Sequence, residues 1–184
     1  MLKVYAGLYK GRKLKSFKGD FIRPTISRVK LSFFDSIQND IREKIFLDGF
    51  AGTGNIGIEA LSRGAEYVIF IDELKESVNI IEHNLEKIGV DPGKYRIIKG
   101  DFNRSIIALS KDEFKFDIIY LDPPYEMLRV ADPLKILYKR NVVSQNGFVV
   151  LEKPDYIAFD TKYFVKFKEN RIGNKVLEFY RLKG

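Results

Sequence analysis

Four short apolar runs, each followed at once or closely by an aspartate, alternate with helical patterns through the middle of the chain. Alternation of buried-type strands with helices is typical of an α/β fold in which a mostly parallel sheet carries helices on both faces. The carboxyl ends of parallel strands lie along one edge of such a sheet, and ligands bind beyond that edge. We therefore predict a binding site where the four acids meet. The runs lie at residues 45–47, 67–71, 95–99 and 116–121, and the acids are Asp48, Asp72, Asp101 and Asp122.

The last of these acids opens the sequence Asp122-Pro123-Pro124-Tyr125. Prolines donate no backbone hydrogen bond and hold φ near about −65°, so the strand has to stop at a rigid corner. The Asp122 carboxylate and the backbone carbonyls of the corner accept hydrogen bonds, and Tyr125 adds a flat ring. This set suits a planar group with an exocyclic NH₂, which becomes a nucleophile when its lone pair leaves conjugation. An ordinary strand-ending turn is the alternative, but the second proline and the aromatic residue favour the functional site.

A glycine-rich turn over residues 49–57 connects the first strand to its helix. Glycines in such a turn let backbone N–H groups approach a ligand without a Cβ in the way. The second strand ends in Asp72, 18 residues after Gly54, where an acid commonly accepts both hydroxyls of a ribose. The alternative role of Asp72 is to cap the helix predicted over residues 74–88.

The third strand is followed by Gly100, Asp101 and Phe102. By the same geometry, a carboxylate and an aromatic ring at the end of this strand suit the binding of an adenine. Asp101 equally suits the N-cap of the helix predicted over residues 103–109. Both roles stay open from the sequence.

The chain begins with a basic segment. Residues 1–30 hold nine Lys and Arg against one Asp, whereas the formal net charge of the whole chain is +7. Basic and aromatic residues alternate there, which favours a surface for a nucleic acid; a solvated, lysine-rich surface of the kind found in thermostable proteins is the alternative. We predict a basic arm or hairpin over residues 1–25 and one larger domain over residues 26–184. The predicted RNA-binding residues are Lys10, Arg12, Lys13 and Lys15.

Arg23-Pro24-Thr25 predicts an extended corner, because a residue that precedes proline avoids the helical region. Arg23 and Thr25 suit contact with a ligand or simple capping and solvation equally well. A helix is predicted to start near Thr25 or Ser27. Further on, we predict a helix over residues 130–140 that Pro133 interrupts, and a terminal hairpin of residues 163–167 and 176–180 whose turn contains residues 170–174.

The composition excludes several kinds of chemistry. The chain has no Cys, which excludes disulfides, thiol nucleophiles and Cys-based metal centres. Its one histidine, His83, lies on the polar side of a predicted helix, so we expect it to be solvated. No apolar run approaches the roughly 20 residues of a membrane span, and the first residues lack a signal-peptide core. We therefore expect a cytoplasmic protein that uses no metal.

Together these motifs resemble those of the class I, Rossmann-like S-adenosylmethionine-dependent methyltransferases. Residues 48–54 match the first motif, Asp72 the second, residues 101–102 the third and residues 122–125 the fourth, whose Pro-Pro-aromatic form belongs to enzymes that methylate amino nitrogens. The resemblance implies a mostly parallel, seven-stranded sheet with a terminal antiparallel hairpin, and S-adenosylmethionine as the cofactor. The catalytic residues that it implies are Asp122, Pro123, Pro124 and Tyr125, and the cofactor-binding residues are Arg23, Thr25, Asp48, Gly49, Phe50, Ala51, Gly52, Gly54, Asp72, Asp101, Phe102 and Asp122.

Longer stretches of the chain resemble the bacterial RsmD family. These stretches are residues 7–14, 23–25, 28–29 and 57–65. That family methylates the exocyclic amino group of one guanine in small-subunit (16S) ribosomal RNA. The resemblance therefore implies ribosomal RNA or the assembling small subunit as the partner, and we expect a monomer. One departure concerns a local cap or cofactor contact and leaves the catalytic motif intact: Ile26-Ser27 stands where members more often carry Thr-Asp.

Other functions share parts of this pattern. An adenine amino methyltransferase acting on DNA or RNA, or a glutamine-modifying protein methyltransferase, shares the Pro-Pro-aromatic motif. A nicotinamide-dependent dehydrogenase accounts for the glycine turn and Asp72 but has no use for residues 122–125. A ribosome-assembly protein that binds RNA without catalysis is the alternative outside enzymes.

Overall fold

The computed structural model describes residues 2–19 and 24–184. Across these residues the strands are β1 (Leu2–Lys3), β2 (Lys13–Leu14), β3 (Ile45–Asp48), β4 (Tyr67–Asp72), β5 (Tyr95–Lys99), β6 (Phe116–Leu121), β7 (Val143–Pro154), β8 (Phe164–Ile172) and β9 (Lys175–Leu182). The α-helices are α1 (Pro24–Ser36), α2 (Asn55–Ser62), α3 (Lys75–Ile88), α4 (Phe102–Lys111), α5 (Tyr125–Val130) and α6 (Pro133–Lys139), and a short 3₁₀ helix covers Pro92–Lys94. No helix of the described residues is long and apolar enough to cross a membrane.

The main sheet has seven strands in the order β5-β4-β3-β6-β7-β9-β8. Strands β3 to β7 pair in parallel, and β9 is inserted antiparallel between β7 and β8. The order runs outward from β3 in both directions, so the chain changes direction between β3 and β6, which is where ligands of open α/β sheets bind. The predicted fold class, including the terminal hairpin and the small N-terminal hairpin of β1 and β2, is confirmed.

Two hydrophobic clusters hold helices against the two faces of the sheet. Side chains alternate along each strand, so Phe46 belongs to one cluster and Leu47 to the other. The first cluster packs α1, α2 and α3 on one face, with Phe33 of α1 fully buried at its centre. The second packs α4 and α6 on the opposite face. Burial on both faces accounts for the near-continuous apolar runs in the sequence.

The N-terminal hairpin packs on the same core as the rest of the protein. Leu2, Val4 and Leu14 are buried in the first cluster. The backbone N–H groups of Tyr5 and Ala6 donate to the buried Glu59 carboxylate of α2, each at 2.9 Å. The hairpin is therefore fastened to the helix that follows the glycine-rich turn. The predicted domain boundary after residue 25 falls inside α1 and stays a prediction.

Two predicted elements differ in detail from the structure. The helix predicted over residues 130–140 corresponds to α6, which Pro133 begins and does not interrupt, because Asp132 caps it by accepting from Leu134 N at 2.8 Å; Val130 ends the separate helix α5. The turn of the terminal hairpin comprises only Gly173 and Asn174, with Gly173 at φ 60. Asn170 lies within β8 instead, where it pairs with Leu177 of β9, and its side chain donates to Ser36 Oγ of α1 at 2.7 Å.

Candidate active site

The four aspartates predicted to share an edge of the sheet do so. Asp48 and Asp72 end β3 and β4, Asp101 precedes α4 after β5, and Asp122 follows β6 directly. The strands that carry them are parallel neighbours, so all four residues lie at the carboxyl edge. Their side chains nevertheless differ in exposure and in hydrogen-bond partners.

The Pro-Pro corner stops β6 at Leu121, as the sequence predicts. Pro124 has φ −51 and ψ 130 and is the N-cap of α5, so the chain turns straight from strand into helix. Tyr125 is the first residue of that helix and is 47 % exposed. The Asp122 side chain is 45 % exposed. The corner therefore presents a carboxylate and a ring to solvent on a backbone that the prolines hold rigid.

Polar side chains from three strands surround the Asp122 carboxylate. Nζ of Lys175, in β9, lies 3.6 Å from Oδ1 of Asp122 and 3.0 Å from Oε1 of Glu152, in β7. The hydroxyl of Tyr120, in β6, donates to the other oxygen of Glu152. Removal of water by the surrounding protein raises the pKa of Asp122 above the usual range, Glu152 adds to the rise and Lys175 opposes it. Because the crevice leaves Asp122 partly exposed, solvent limits this rise.

The glycine-rich turn is tied to the end of β4. Gly52 N donates to Oδ2 of Asp72 at 2.8 Å, and Leu74 N donates to Oδ1 at 3.0 Å. A carboxylate oxygen can accept two hydrogen bonds, and each oxygen of Asp72 accepts one here. Asp72 therefore keeps acceptor capacity for hydroxyl groups. Its alternative role as the cap of α3 is not seen, because the N-cap is Leu74 and the hydrogen bond from Leu74 N closes a turn before the helix.

The shape of the turn fits a ligand that lies against its backbone. Gly52 has φ +54, and a Cβ built on it would meet nothing within 4 Å, so the space above it is open. A Cβ on Gly49 would meet Leu121 Cδ2 at 2.5 Å, so this glycine is needed for packing against β6. The residues of the turn and Asp72 therefore fit a nucleoside cofactor, with open space at Gly52 and oxygen acceptors at Asp72.

Asp48 supports the turn from below. It is 2 % exposed, and its Oδ2 accepts from Gly57 N in the first turn of α2 at 2.9 Å. Burial raises the pKa of Asp48 to about 7, the hydrogen bond from Gly57 opposes the rise, and Asp72 adds to it. A direct contact of Asp48 with the cofactor stays a prediction.

Asp101 and Phe102 follow β5, and the sequence leaves two roles open there, adenine binding and capping of α4. Asp101 caps α4 by accepting from Arg104 N at 3.0 Å, and it is exposed. Phe102 is 4 % exposed and stacks on Phe50 of the glycine-rich turn, with ring centroids 4.9 Å apart. Phe102 thus supports the turn and offers little free surface. Contact of either residue with an adenine stays a prediction.

The predicted RNA-binding residues lie on the N-terminal hairpin, whose second strand begins at Lys13. Lys10, Arg12, Lys13 and Lys15 are all exposed on the N-terminal hairpin. Arg23 lies outside the described residues, and Thr25 lies in the first turn of α1. His83 is exposed on α3, as expected.

Three residues beside Asp122, namely Lys175, Glu152 and Tyr120, were not predicted from the sequence. Glu152 comes directly after the apolar run of residues 148–151, so the rule that located the four aspartates would have found it. Lys175 gives no such signal, because it begins an antiparallel strand.

A separate groove of about 500 Å³ lies between α1 and β8. Arg28, Ser32 and Lys168 line it, and it does not include Asp122. The groove is therefore distinct from the Asp122 corner at the carboxyl edge of the sheet.

Comparison with known proteins assigns the family. Residues 2–181 match the model of the family described as "Conserved hypothetical protein 95". The chain belongs to this family. The "Putative rRNA methyltransferase YlbH" of Bacillus subtilis (strain 168) is 35 % identical over 151 residues, which are 82 % of this chain and 82 % of that protein. The resemblance to the RsmD family drawn from the sequence motifs is confirmed.

A second relative agrees with this assignment, and a solved structure shares the fold. The "Ribosomal RNA small subunit methyltransferase D" of Haemophilus influenzae (strain ATCC 51907 / DSM 11121 / KW20 / Rd) is 30 % identical over 151 residues, which are 82 % of this chain and 78 % of that protein. The structure of the "Putative methyltransferase yhhF" from Escherichia coli superposes with a TM-score of 0.82 at 21 % identity, and the match covers 98 % of this chain and 97 % of that one. This structure shows that the fold is shared over almost the whole chain.

Proposed function

We propose that this protein transfers a methyl group from S-adenosylmethionine to the exocyclic amino group of a guanine in small-subunit ribosomal RNA. The observation that carries the proposal is the Asp122-Pro123-Pro124-Tyr125 corner, which lies on the same edge of the sheet as the glycine-rich turn and Asp72. Family membership and the names of the relatives support an rRNA methyltransferase. We place the activity in the cytoplasm and propose that the enzyme is a monomer.

The corner supplies hydrogen-bond acceptors that make an aromatic amine a better nucleophile. The amino lone pair of guanine is delocalised into the ring, which makes the nitrogen a poor nucleophile. Hydrogen bonds from the NH₂ to the Asp122 carboxylate and the Pro123 carbonyl favour the pyramidal geometry that frees this lone pair. Tyr125 stacks on a base that has been turned out of its helix. The nitrogen loses one proton after it is methylated, and water accepts it, so Asp122 acts as an acceptor that orients the amine.

The neighbouring loops hold the cofactor. S-adenosylmethionine supplies an electrophilic methyl group on a sulfonium sulfur. In this proposal the turn around Gly52 lies against the amino-acid part, Asp72 accepts the ribose hydroxyls, and Asp101 with Phe50 and Phe102 borders the adenine. The open space above Gly52 and the acceptor oxygens of Asp72 support this placement.

The exposed cations of the N-terminal hairpin bind the phosphates of the RNA. Replacement of Lys10, Arg12, Lys13 and Lys15 by Gln is expected to weaken RNA binding for all sequences alike. The log–log salt dependence of binding is expected to become shallower by about one for each phosphate that the variant no longer neutralises. Cofactor affinity is expected to stay the same. The measurement is RNA binding by fluorescence anisotropy over a range of salt concentrations.

Substitution is a better test of the hairpin than deletion. Leu2, Val4 and Leu14 are core residues, so removal of the hairpin would unfold the protein for a reason unrelated to RNA. The matched control replaces four exposed lysines elsewhere by Gln, namely Lys87, Lys111, Lys139 and Lys183. An equal loss of affinity and slope in the control would show that total charge, and not the hairpin, governs binding.

The experiment that tests the proposed function is transfer of a labelled methyl group from S-adenosylmethionine. Small-subunit ribosomal RNA, partly assembled small subunits, duplex DNA and total protein are offered separately. We expect label in ribosomal RNA, free or assembled, and none in DNA or protein. Label in DNA would indicate an adenine amino methyltransferase, and RNA binding without label would indicate a non-catalytic assembly protein.

A further inference from the structure

Lys175 is the cation that reaches the candidate catalytic carboxylate. Its ammonium lies between two carboxylates, 3.6 Å from Asp122 and 3.0 Å from Glu152. Its side chain is 30 % exposed, so the ammonium borders the crevice without lying free in solvent. Burial alone would lower the pKa of Lys175. The nearby carboxylates Asp122 and Glu152 have the larger effect and raise this pKa above its usual range. Lys175 is therefore charged wherever the enzyme is folded near neutral pH.

The sheet fixes where this ammonium is. Lys175 is the first residue of β9 and pairs with Pro154 of β7, and Glu152 lies two residues earlier on the same face of β7. Diagonal neighbours on one face of an antiparallel pair are within reach of a long side chain. Tyr120 pairs with Val150 of β7 and donates its hydroxyl to Glu152. Three neighbouring strands thus hold one connected network.

The network is anchored at its inner end. Tyr120 is 1 % exposed, and burial together with Glu152 raises its pKa well above the usual range, so its hydroxyl keeps its proton and stays a donor. Glu152 therefore has one oxygen bound by Tyr120 and the other by Lys175. This arrangement leaves Glu152 no freedom to turn away, and the ammonium that it holds is kept beside Asp122.

We propose that Lys175, held by Glu152 and Tyr120, is a positioning residue that keeps the Asp122 carboxylate ionised and oriented to accept the hydrogen bond of the substrate amine. The proposal rests on the proposed function, because it concerns the same carboxylate. It assigns no proton transfer to Lys175, since an ammonium has donors and no acceptor.

The charges around Asp122 explain why such a residue is needed. Glu152 from β7 and Asp48 from β3 both disfavour a negative charge on Asp122, and removal of water acts in the same direction. Lys175 is the group that opposes them. A protonated Asp122 would present a hydroxyl donor to the amine and would keep only one, uncharged, acceptor oxygen, so loss of Lys175 impairs catalysis most at low pH.

Two substitutions that remove charges of opposite sign test the network. Lys175→Met is expected to lower kcat by about 10- to 100-fold with little change in cofactor Kd, and to move the acid limb of the pH–rate profile to higher pH. Glu152→Gln removes a like charge and keeps an acceptor for Tyr120, so it is expected to move the acid limb to lower pH. Lys175→Arg keeps the charge and is expected to restore most of kcat. The matched control is Lys183→Met, an exposed lysine near the end of the same hairpin, which is expected to behave as wild type.

Several outcomes overturn the proposal. An unchanged acid limb in Lys175→Met would show that Lys175 does not act through Asp122. If Lys175→Met does not fold, the test rests on the position of the acid limb in Glu152→Gln and on the kcat of Lys175→Arg. Titration of the Asp122 carboxyl group, followed by its ¹³C NMR signal, gives the same comparison without turnover. We expect the pKa of Asp122 to rise in Lys175→Met and to fall in Glu152→Gln. Failure of the wild type to methylate RNA, with these titration shifts present, would overturn the proposed function alone.

Discussion

Replacement of Asp122 by Ala is expected to lower the rate of methyl transfer by about 10³-fold, because the substrate amine loses the charged acceptor that orients its lone pair. Stability is expected to change little, since the Asp122 side chain is 45 % exposed and is surrounded by other carboxylates. Cofactor affinity is expected to survive, because the ribose and the amino-acid part are assigned to Asp72 and the glycine-rich turn. Single-turnover transfer to RNA and calorimetric titration with the cofactor measure the two effects separately.

The matched variant for this prediction is Asp122→Asn. The amide keeps one oxygen acceptor at the same place but carries no titratable proton. We expect it to retain far more activity than the Ala variant and to lack the acid limb of the wild-type pH–rate profile, in which activity falls as Asp122 takes up a proton. Near-normal transfer by Asp122→Ala would remove the assignment of this residue.

Replacement of Glu59 by Gln is expected to lower the free energy of unfolding by about 3–5 kcal/mol, the usual cost of removing one partner of a buried ion pair. Glu59 is fully buried and lies 3.0 Å from Nζ of Lys30 and 3.0 Å from Nε of Arg63. The backbone N–H groups of Tyr5 and Ala6 also donate to it. The substitution leaves the buried Lys30 without its counter-charge. Denaturant unfolding measures the loss.

The pH dependence of this loss has a definite sign. Burial lowers the pKa of Lys30 in the folded protein, and Glu59 is the charge that opposes this lowering. Without Glu59 the pKa of Lys30 falls below its already lowered wild-type value, so between these two values the folded variant binds fewer protons than the folded wild type. Stability of the variant therefore recovers relative to wild type as the pH rises through that window. A loss that is constant with pH would contradict this role of Lys30.

Glu66→Gln is the matched control for the Glu59 variant. Glu66 pairs with Lys94 at 3.0 Å, but the side chains are 58 % and 43 % exposed. Exposed pairs contribute less than about 1 kcal/mol. An equal loss in both variants would show that burial of the Glu59 network does not determine its contribution.

The strands and the carboxyl edge were predictable from the sequence because both are local properties. Each apolar run is long enough for a strand, and the residue after it lies at the edge whatever the strand's neighbours are. Asp72 and Asp122 were located in this way, one at the end of β4 and one directly after β6. The same reasoning predicted the Pro-Pro corner, since the properties of proline do not depend on tertiary contacts.

The features that the sequence does not predict depend on contacts between distant parts of the chain. Lys175 reaches Asp122 only because β9 pairs with β7, and nothing near Lys175 in the sequence indicates that pairing. Asn170 lies in β8, where it pairs with Leu177 of β9 and its side chain donates to Ser32 and Ser36 of α1, although its sequence neighbours favour a turn. Side-chain direction is also hidden from the sequence: the resemblance implies that Asp48 contacts the cofactor, which stays a prediction, and in the structure its carboxylate accepts from Gly57 N beneath the turn.

The identity of the methylated nucleoside decides most directly whether the Pro-Pro corner methylates a guanine amine. Small-subunit ribosomal RNA is incubated with labelled S-adenosylmethionine and either the wild type or Asp122→Ala, and the RNA is digested and analysed by mass spectrometry. We expect label on the exocyclic nitrogen of a single guanosine with the wild type and none above background with the variant. Label on a ring nitrogen, on a ribose or on adenosine, or equal label with both proteins, would contradict the proposed reaction.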